Sequence, residues 1–296
     1  MERGLEVKIW GTRGSLAAPY ADRMEFGGNT SCVSVQWDEE TVIFDCGTGL
    51  HALGEELLHR EKMTSDGLAS CVEDDSSDAE KCGRKELHIF LSHVHLDHVC
   101  ALPFFQLLFR KNWKIHIYGQ PVEGETFRET IRRIIGPPFW PITMEQVAAD
   151  IVWHDLLPGM CVELAGGAVV KTAKANHGPG ALIFRIERGG ASFVYGVDHE
   201  ITEETKSSYC EFVRNCDILL FDGMYTEDEY LRCSGFGHSA WTWGPKIGAV
   251  CEIGTVLITH HDWKRTDAVL RDMEQAAREI NDRCAFAREG MVLRLG

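Results

Sequence analysis

His93-Val94-His95-Leu96-Asp97-His98 follows the apolar run 87–91 and precedes a helix-like stretch, 99–110. Residues i and i+2 of a strand point to one side, so His93 and His95 converge from a strand end. Asp97 and His98 then arrive on the turn entering the helix and face the same volume. Three imidazoles and a carboxylate crowded at one strand end form the donor set that two closely spaced divalent cations require. Imidazole and carboxylate both suit zinc. A chance cluster of surface histidines is the bland alternative, and it gives no reason for all four to gather there.

Outward from this stretch, short β-like runs recur at 6–10, 33–37, 41–45, 86–92, 114–118, 169–173, 182–187, 192–197, 218–222, 256–260 and 291–295. Gly, Pro and Asn bound them, as strands require. Helix-period faces lie between: Leu50, Leu53, Leu57 and Leu58 form one, and Phe127, Ile131, Ile134 and Ile135 another. Residues 239–250 and 267–280 give two more. Early hairpins followed by strands alternating with helices predict an α/β sandwich with helices outside the sheets. No internal repeat or linker divides the chain, so one domain is expected over 1–296, with an acidic surface insertion at about 64–83. Residues 136–141, Gly-Pro-Pro-Phe-Trp-Pro, cannot continue a helix and predict a rigid bend.

Composition narrows the function classes. With 30 Lys+Arg against 45 Asp+Glu, the formal charge of the 296 residues is −15. A protein that tracks a nucleic-acid backbone carries a basic face, so polymeric nucleic acid is disfavoured as a substrate. The densest charge run, 66–80, holds six acids and no Lys or Arg. The 11 cysteines are odd in number and include no CxxC, which predicts buried thiols in a cytoplasmic protein rather than a disulfide scaffold. The opening residues alternate like a strand instead of forming a signal peptide. No run approaches the ~20 apolar residues of a membrane span.

The HxHxDH stretch resembles the signature of the metallo-β-lactamase superfamily, and further landmarks of that family follow in order from about residue 7 to the end. Asp45, before Cys46-Gly47-Thr48-Gly49, resembles the aspartate that steadies the ligand loop by hydrogen bonds. His177 in Asn176-His177-Gly178-Pro179, Asp198 after Tyr195-Gly196-Val197, and His260 after Leu257-Ile258-Thr259 resemble the remaining ligands. The resemblance implies a four-layered αββα sandwich with a dinuclear centre. His93, His95 and His177 would hold one metal, Asp97, His98 and His260 the other, and Asp198 would bridge them. Zinc is expected, with manganese or iron as alternatives. His199 and His261, each next to an expected ligand, are expected to point away from the metals or to support them from outside.

The branch is read beyond the ligands. The flavo-di-iron branch carries Glu where this chain has His95, so hydrolysis by a metal-bridging hydroxide is expected instead of redox chemistry. Asp222-Gly223-Met224-Tyr225 and Gly237-His238-Ser239 resemble the phosphodiesterase branch, which includes tRNase Z and cyclic phosphodiesterases. In tRNase Z a Glu stands at the position of Asp222. Cleaving a phosphodiester expels an alkoxide that takes a proton as it departs, and His238 held by Asp222 would supply it. Asp97 would orient the nucleophile. Lactonases and glyoxalase-like thioesterases share the ligands without this pair.

Trp10-Gly11-Thr12-Arg13-Gly14-Ser15 lacks the ending of a P-loop, and a hairpin turn is expected at 11–15. No stretch resembles the basic arm with which tRNase Z grips tRNA. A small phosphodiester, a cyclic nucleotide above all, is therefore the expected substrate. Tyr225, Phe236, Trp241 and Trp140 are available to stack a base. The resemblance also implies a homodimer. The rival readings are a tRNase Z-like RNA 3′ endonuclease, a carbon-ester or lactone hydrolase on the same metals, and a metal-dependent sensor or scaffold without activity.

Overall fold

The computed structural model describes residues 4–65, 85–178 and 180–296. The first half runs β1 (Leu5–Gly11), β2 (Arg13–Gly14), β3 (Cys32–Trp37), β4 (Glu40–Phe44) and α1 (Leu50–Ser65). It continues through β5 (Lys85–Phe90), α2 (Leu96–Val99), β6 (Trp113–Gly119), α3 (Phe127–Ile134) and β7 (Asp150–Asp155). The second half begins with β8 (Cys161–Glu163), β9 (Val169–Lys174), β10 (Leu182–Arg188), β11 (Ala191–Gly196) and α4 (Lys206–Val213). Then come β12 (Ile218–Asp222), α5 (Glu227–Cys233), α6 (Trp243–Val250), β13 (Thr255–Thr259) and β14 (His261–Asp262). It closes with α7 (Asp267–Ile280), β15 (Cys284–Phe286) and β16 (Val292–Leu295).

Two seven-stranded sheets result, ordered β16-β1-β3-β4-β5-β6-β7 and β15-β13-β12-β11-β10-β9-β8. The period-2 alternation of the strands makes the layers. Val42 and Phe44 of β4 enter the core between the sheets while Ile43 faces outward; Leu220 of β12 enters it while Leu219 and Phe221 face the other way. At its centre the Phe44 ring lies 5.5 Å from Phe184 and 5.4 Å from Tyr195. Leu50, Leu53 and Leu57 of α1 and Phe127 and Ile131 of α3 cover the outside of the first sheet. Tyr209 of α4, Ile247 of α6 and Leu270 and Met273 of α7 cover the second. This is the expected αββα sandwich.

Several expectations need correction. Residues 99–110 are not one helix: after the four-residue α2 they form two short 3-10 turns, Leu102–Phe104 and Gln106–Phe109. Pro103 has no N–H with which to continue an α-helix, and Phe105 is extended (φ −71°, ψ 113°). The helix expected from 239 begins at Trp243. Residues 11–15 make no hairpin; β2 pairs in parallel with β14, nearly 250 residues along the chain. Strands β7, β8 and β15 and helices α4 and α5 were not expected. The acidic stretch 64–83 lies, apart from its first two residues, outside the described residues.

Candidate metal centre

Strands β4 to β7 run parallel, as do β11, β12, β13 and β15, so the carboxyl ends of both groups open at one edge of the sandwich. Three acidic or imidazole side chains are delivered there by the same backbone device. Asp45 just beyond β4, Asp198 beyond β11 and His260 beyond β13 all have left-handed φ angles, 60°, 52° and 57°. L-residues pay a steric penalty in this region, and strain of that kind gathers at functional sites. Strand pairing therefore stops before these residues, whereas the runs expected at 41–45 and 256–260 included Asp45 and His260.

The structure brings all seven expected ligands together. Potential ligand atoms of His93, His95, His177 and Asp198 lie within 4.8 Å of one another, and so do those of Asp97, His98 and His260. Asp198 joins the two groups. Its Oδ2 is 3.5 Å from His93 Nε2, 3.6 Å from His177 Nε2 and 3.3 Å from His98 Nε2, and its Oδ1 is 3.1 Å from His260 Nε2. Asp97 Oδ2 faces His98 Nε2 at 3.3 Å and His260 Nε2 at 3.4 Å. His95 presents Nδ1, 3.0 Å from His177 Nε2.

The donor atoms behave as a cation site. Buried polar groups almost always find a partner, yet His93 Nε2, His98 Nε2, His260 Nε2 and Asp198 Oδ1 have no hydrogen bond. The other ring nitrogen is engaged in three of the histidines: His98 Nδ1 donates to Asp45 Oδ2 at 2.6 Å, His177 Nδ1 to the Gly237 carbonyl at 2.9 Å, and His93 Nδ1 to Ser92 Oγ at 3.0 Å, whereas both ring nitrogens of His260 lack a hydrogen bond. With Nδ1 donating, Nε2 turns its lone pair inward, the tautomer a metal needs. Burial also pushes the His93, His95 and His177 pKa values down, favouring neutral rings. The residues thus fit two divalent cations bound through nitrogen and oxygen.

Asp45 anchors this arrangement as expected. Its Oδ1 accepts the Ser92 N–H at 2.7 Å, and its Oδ2 accepts from Ser92 Oγ at 2.7 Å, His98 and the Tyr195 hydroxyl at 2.8 Å. Sequence reasoning missed Tyr195 in this role. It also missed Ser15, whose backbone N–H donates to Asp97 Oδ2 at 2.7 Å. Gly14 passes so close to the His260 ring that a Cβ there would collide with it.

His238 stands over the gap between the two groups. Its ring centroid is 4.8 Å from that of His177 and 4.9 Å from that of His260, and its Nδ1 is 2.8 Å from Asp222 Oδ2. Asp222 is fully buried and also accepts the Met224 and His199 backbone N–H groups. Burial opposes charge on His238, but the adjacent Asp222 carboxylate outweighs it and raises the imidazole to about 9.

His199 and His261 turn away from the centre. The former accepts the Asn176 N–H at Nδ1 and stacks on Tyr209; the latter bonds the Ala287 carbonyl and stacks on Phe286. The aromatics divide as well. Trp241 is buried against Phe286, Trp140 packs edge-on against Phe104, and Tyr225 is buried with its ring edge-on to His238. Phe236 alone of the four is largely exposed, at 67%.

Residues 79–277 match the family model described as the Beta-lactamase superfamily domain, and the chain belongs to that superfamily. It is a metallo-β-lactamase-fold hydrolase with distant homology to ribonuclease Z. The ribonuclease Z of Oceanobacillus iheyensis is 22% identical over 278 residues, covering 78% of this chain and 83% of that protein. In fold it resembles the metallo-beta-lactamase fold protein YhfI from Bacillus subtilis, with a TM-score of 0.69, 19% identity and full coverage of both chains. It also resembles the short form of human tRNase Z, with a TM-score of 0.67 and 17% identity over 98% of this chain and 99% of that one. Among the described residues no helix is long and apolar enough to cross a membrane.

Proposed function

We propose that this protein hydrolyses a phosphodiester of a small molecule, with 3′,5′-cyclic nucleotides as the favoured substrates. The observation that carries the reading is the buried His238–Asp222 pair set beside both donor groups. His93, His95 and His177 would hold one divalent cation, Asp97, His98 and His260 the other, and Asp198 would touch both. Zinc is proposed first, with manganese or iron as alternatives; such ions supply Lewis acidity, acidifying water and neutralising phosphoryl charge.

The chain's own residues do the rest. Asp97, fixed by the Ser15 N–H, orients the attacking water. His238, kept protonated by Asp222, gives its Nε2 proton to the departing oxygen and so avoids a free alkoxide. Phe236 is the aromatic available for a base, and the net charge of −15 disfavours a long polyanion. The protein is proposed to work in the cytoplasm as a homodimer. A second reading, cleavage of RNA at a 3′ end, is favoured by the ribonuclease Z homology.

Zinc- or manganese-loaded protein is assayed on 3′,5′-cyclic AMP and cyclic GMP beside precursor tRNA and a lactone. Conversion to nucleoside monophosphate is expected. His238→Ala should lower turnover about 10²–10⁴-fold while the protein keeps its metal, whereas His95→Ala should lose metal too. Cleavage of precursor tRNA without cyclic-nucleotide turnover would replace the first reading by the second. Lactone opening alone would overturn both.

A further inference from the structure

Glu200 is a buried carboxylate, 3% exposed, two residues beyond Asp198. Its Oε1 accepts from the Tyr230 hydroxyl at 2.8 Å and the Gly235 N–H at 2.9 Å, with Ser234 Oγ at 3.4 Å. Its Oε2 accepts from the Gly235 and Gly237 N–H groups, both at 3.0 Å. Ser234, Gly235 and Gly237 belong to the loop that carries His238, and Tyr230 to helix α5 just before it. The backbone of Glu200 also grips the loop that carries His177: its N–H donates to the Asn176 carbonyl at 3.1 Å, and its carbonyl accepts from Asn176 Nδ2 at 2.8 Å.

The loop needs such an anchor. Gly235 and Gly237 both have φ of 88°, and the residue between them, Phe236, is exposed, so apolar burial contributes little to holding it. Burying a carboxylate is costly unless donors surround it, and here they come from α5 and the loop that follows it. The neighbouring residue extends the tie: Ile201 N–H donates to Ser239 Oγ, which donates to the His199 carbonyl at 2.6 Å. Gly237, held through its N–H by Glu200, offers its carbonyl to His177 Nδ1, and the next residue is His238.

We propose that Glu200 is a positioning residue: its carboxylate fixes the 234–238 loop so that His238 meets the leaving oxygen. The proposal rests on His238 as proton donor. An effect that runs through His238 must depend on how much the leaving group needs a proton. Cyclic AMP expels an alkoxide; bis(p-nitrophenyl) phosphate expels a stable phenolate that needs none.

The test compares Glu200→Gln, His238→Ala and the double variant on both substrates. Glu200→Gln keeps the volume but turns an NH₂ toward backbone N–H groups. It should lose about 10²-fold in kcat on cyclic AMP, the size of a general-acid contribution, and only a few-fold on the activated diester. The double variant should be no worse on cyclic AMP than His238→Ala alone, because residues acting as a unit are not additive. A readout independent of turnover is the downfield imidazole N–H resonance of His238, assigned by its loss in His238→Ala. It should broaden in Glu200→Gln.

Equal losses on both substrates, additive losses in the double variant, or an unchanged resonance would overturn the proposal while leaving His238 as donor. Loss of cyclic AMP selectivity in neither single variant would overturn the donor reading and this proposal with it. If Glu200→Gln fails to fold, Tyr230→Phe removes one donor to the same carboxylate. It should show a smaller loss with the same leaving-group dependence, and its absence is overturning.

Discussion

His238 titrates because Asp222 faces it, and the direction of that coupling has a measurable result. In the metal-free protein the imidazole is raised to about 9, above the ordinary histidine value near 6.5. A base raised on folding stabilises the native state fully below the unfolded pKa, and that contribution disappears as pH rises through the folded value. Metal-free protein should therefore lose stability relative to His238→Ala between about pH 6.5 and 9, as read by urea titrations across that range. Parallel curves for the two proteins would rule out the coupling. Residues of this kind differ in how legible they are. His93, His95, Asp97 and His98 announce themselves by spacing, because one strand end gathers them. Ser15 and Glu200 do not: Ser15 works through a backbone N–H across 82 positions, and Glu200 through donors 30 to 37 positions away.

Among the elements, β2 gives the least warning of its importance. Its Arg13 is completely buried and donates to the carbonyls of Gly27 at 2.6 Å, Arg265 at 2.9 Å and Arg23 at 2.9 Å. One guanidinium thus laces together two connections beside the centre, the one between β2 and β3, which also presents Ser15 to Asp97, and the one between β14 and α7. Arg13→Met would take this donor from the Gly27 and Arg265 carbonyls, while the Arg23 carbonyl would keep the Gly27 N–H, and each orphaned buried group costs about 1–3 kcal/mol. We expect a fall of about 2–4 kcal/mol in urea unfolding; a change below about 0.5 kcal/mol, the level of an ordinary surface substitution, would contradict this account.

A lone arginine in Gly-Thr-Arg-Gly-Ser reads as turn chemistry because nothing local reveals the carbonyls that converge on it. The same physics explains the unforeseen elements. Helix α5 buries no residue and so has no apolar period, although its capping box (Thr226 with Glu229) is present in the sequence. Strand β7 is an edge strand with exposed ends and partial burial between. Strands β1 and β3 were legible because one face packs into the core and gives an alternating run, β12 and β13 because both faces are packed and give continuous apolar runs.

For the molecule as a whole, the centre is shared between its halves. Residues 93–98 come from the first sheet's side, and His177, Asp198 and His260 from the second's. Bound cations therefore tie the two sheets together, and a ligand that binds only the native state stabilises it by mass action, about 2.7 kcal/mol at a hundredfold excess over Kd. Zinc should raise the Tm of chelated protein by about 5–10 °C at that excess, and His95→Ala should lose most of the rise. A Tm indifferent to zinc and chelator would show that the donor groups do not hold a cation.

The pairing of β16 with β1, Leu5 opposite Leu295, joins strands from opposite ends of the described chain. As the polypeptide leaves the ribosome, β1 is made well before its outer neighbour β16, whose Leu295 pairs with Leu5. Throughout that interval the first sheet has an unsatisfied flank, the kind of open edge that recruits strands from other nascent copies. β1 meets that interval with the charges of Glu6 and Lys8; Lys8 pairs with Glu56 of α1, while Glu6 waits for Arg294 of β16. Until then the unpaired Glu6 discourages a neighbouring chain from taking the place reserved for β16.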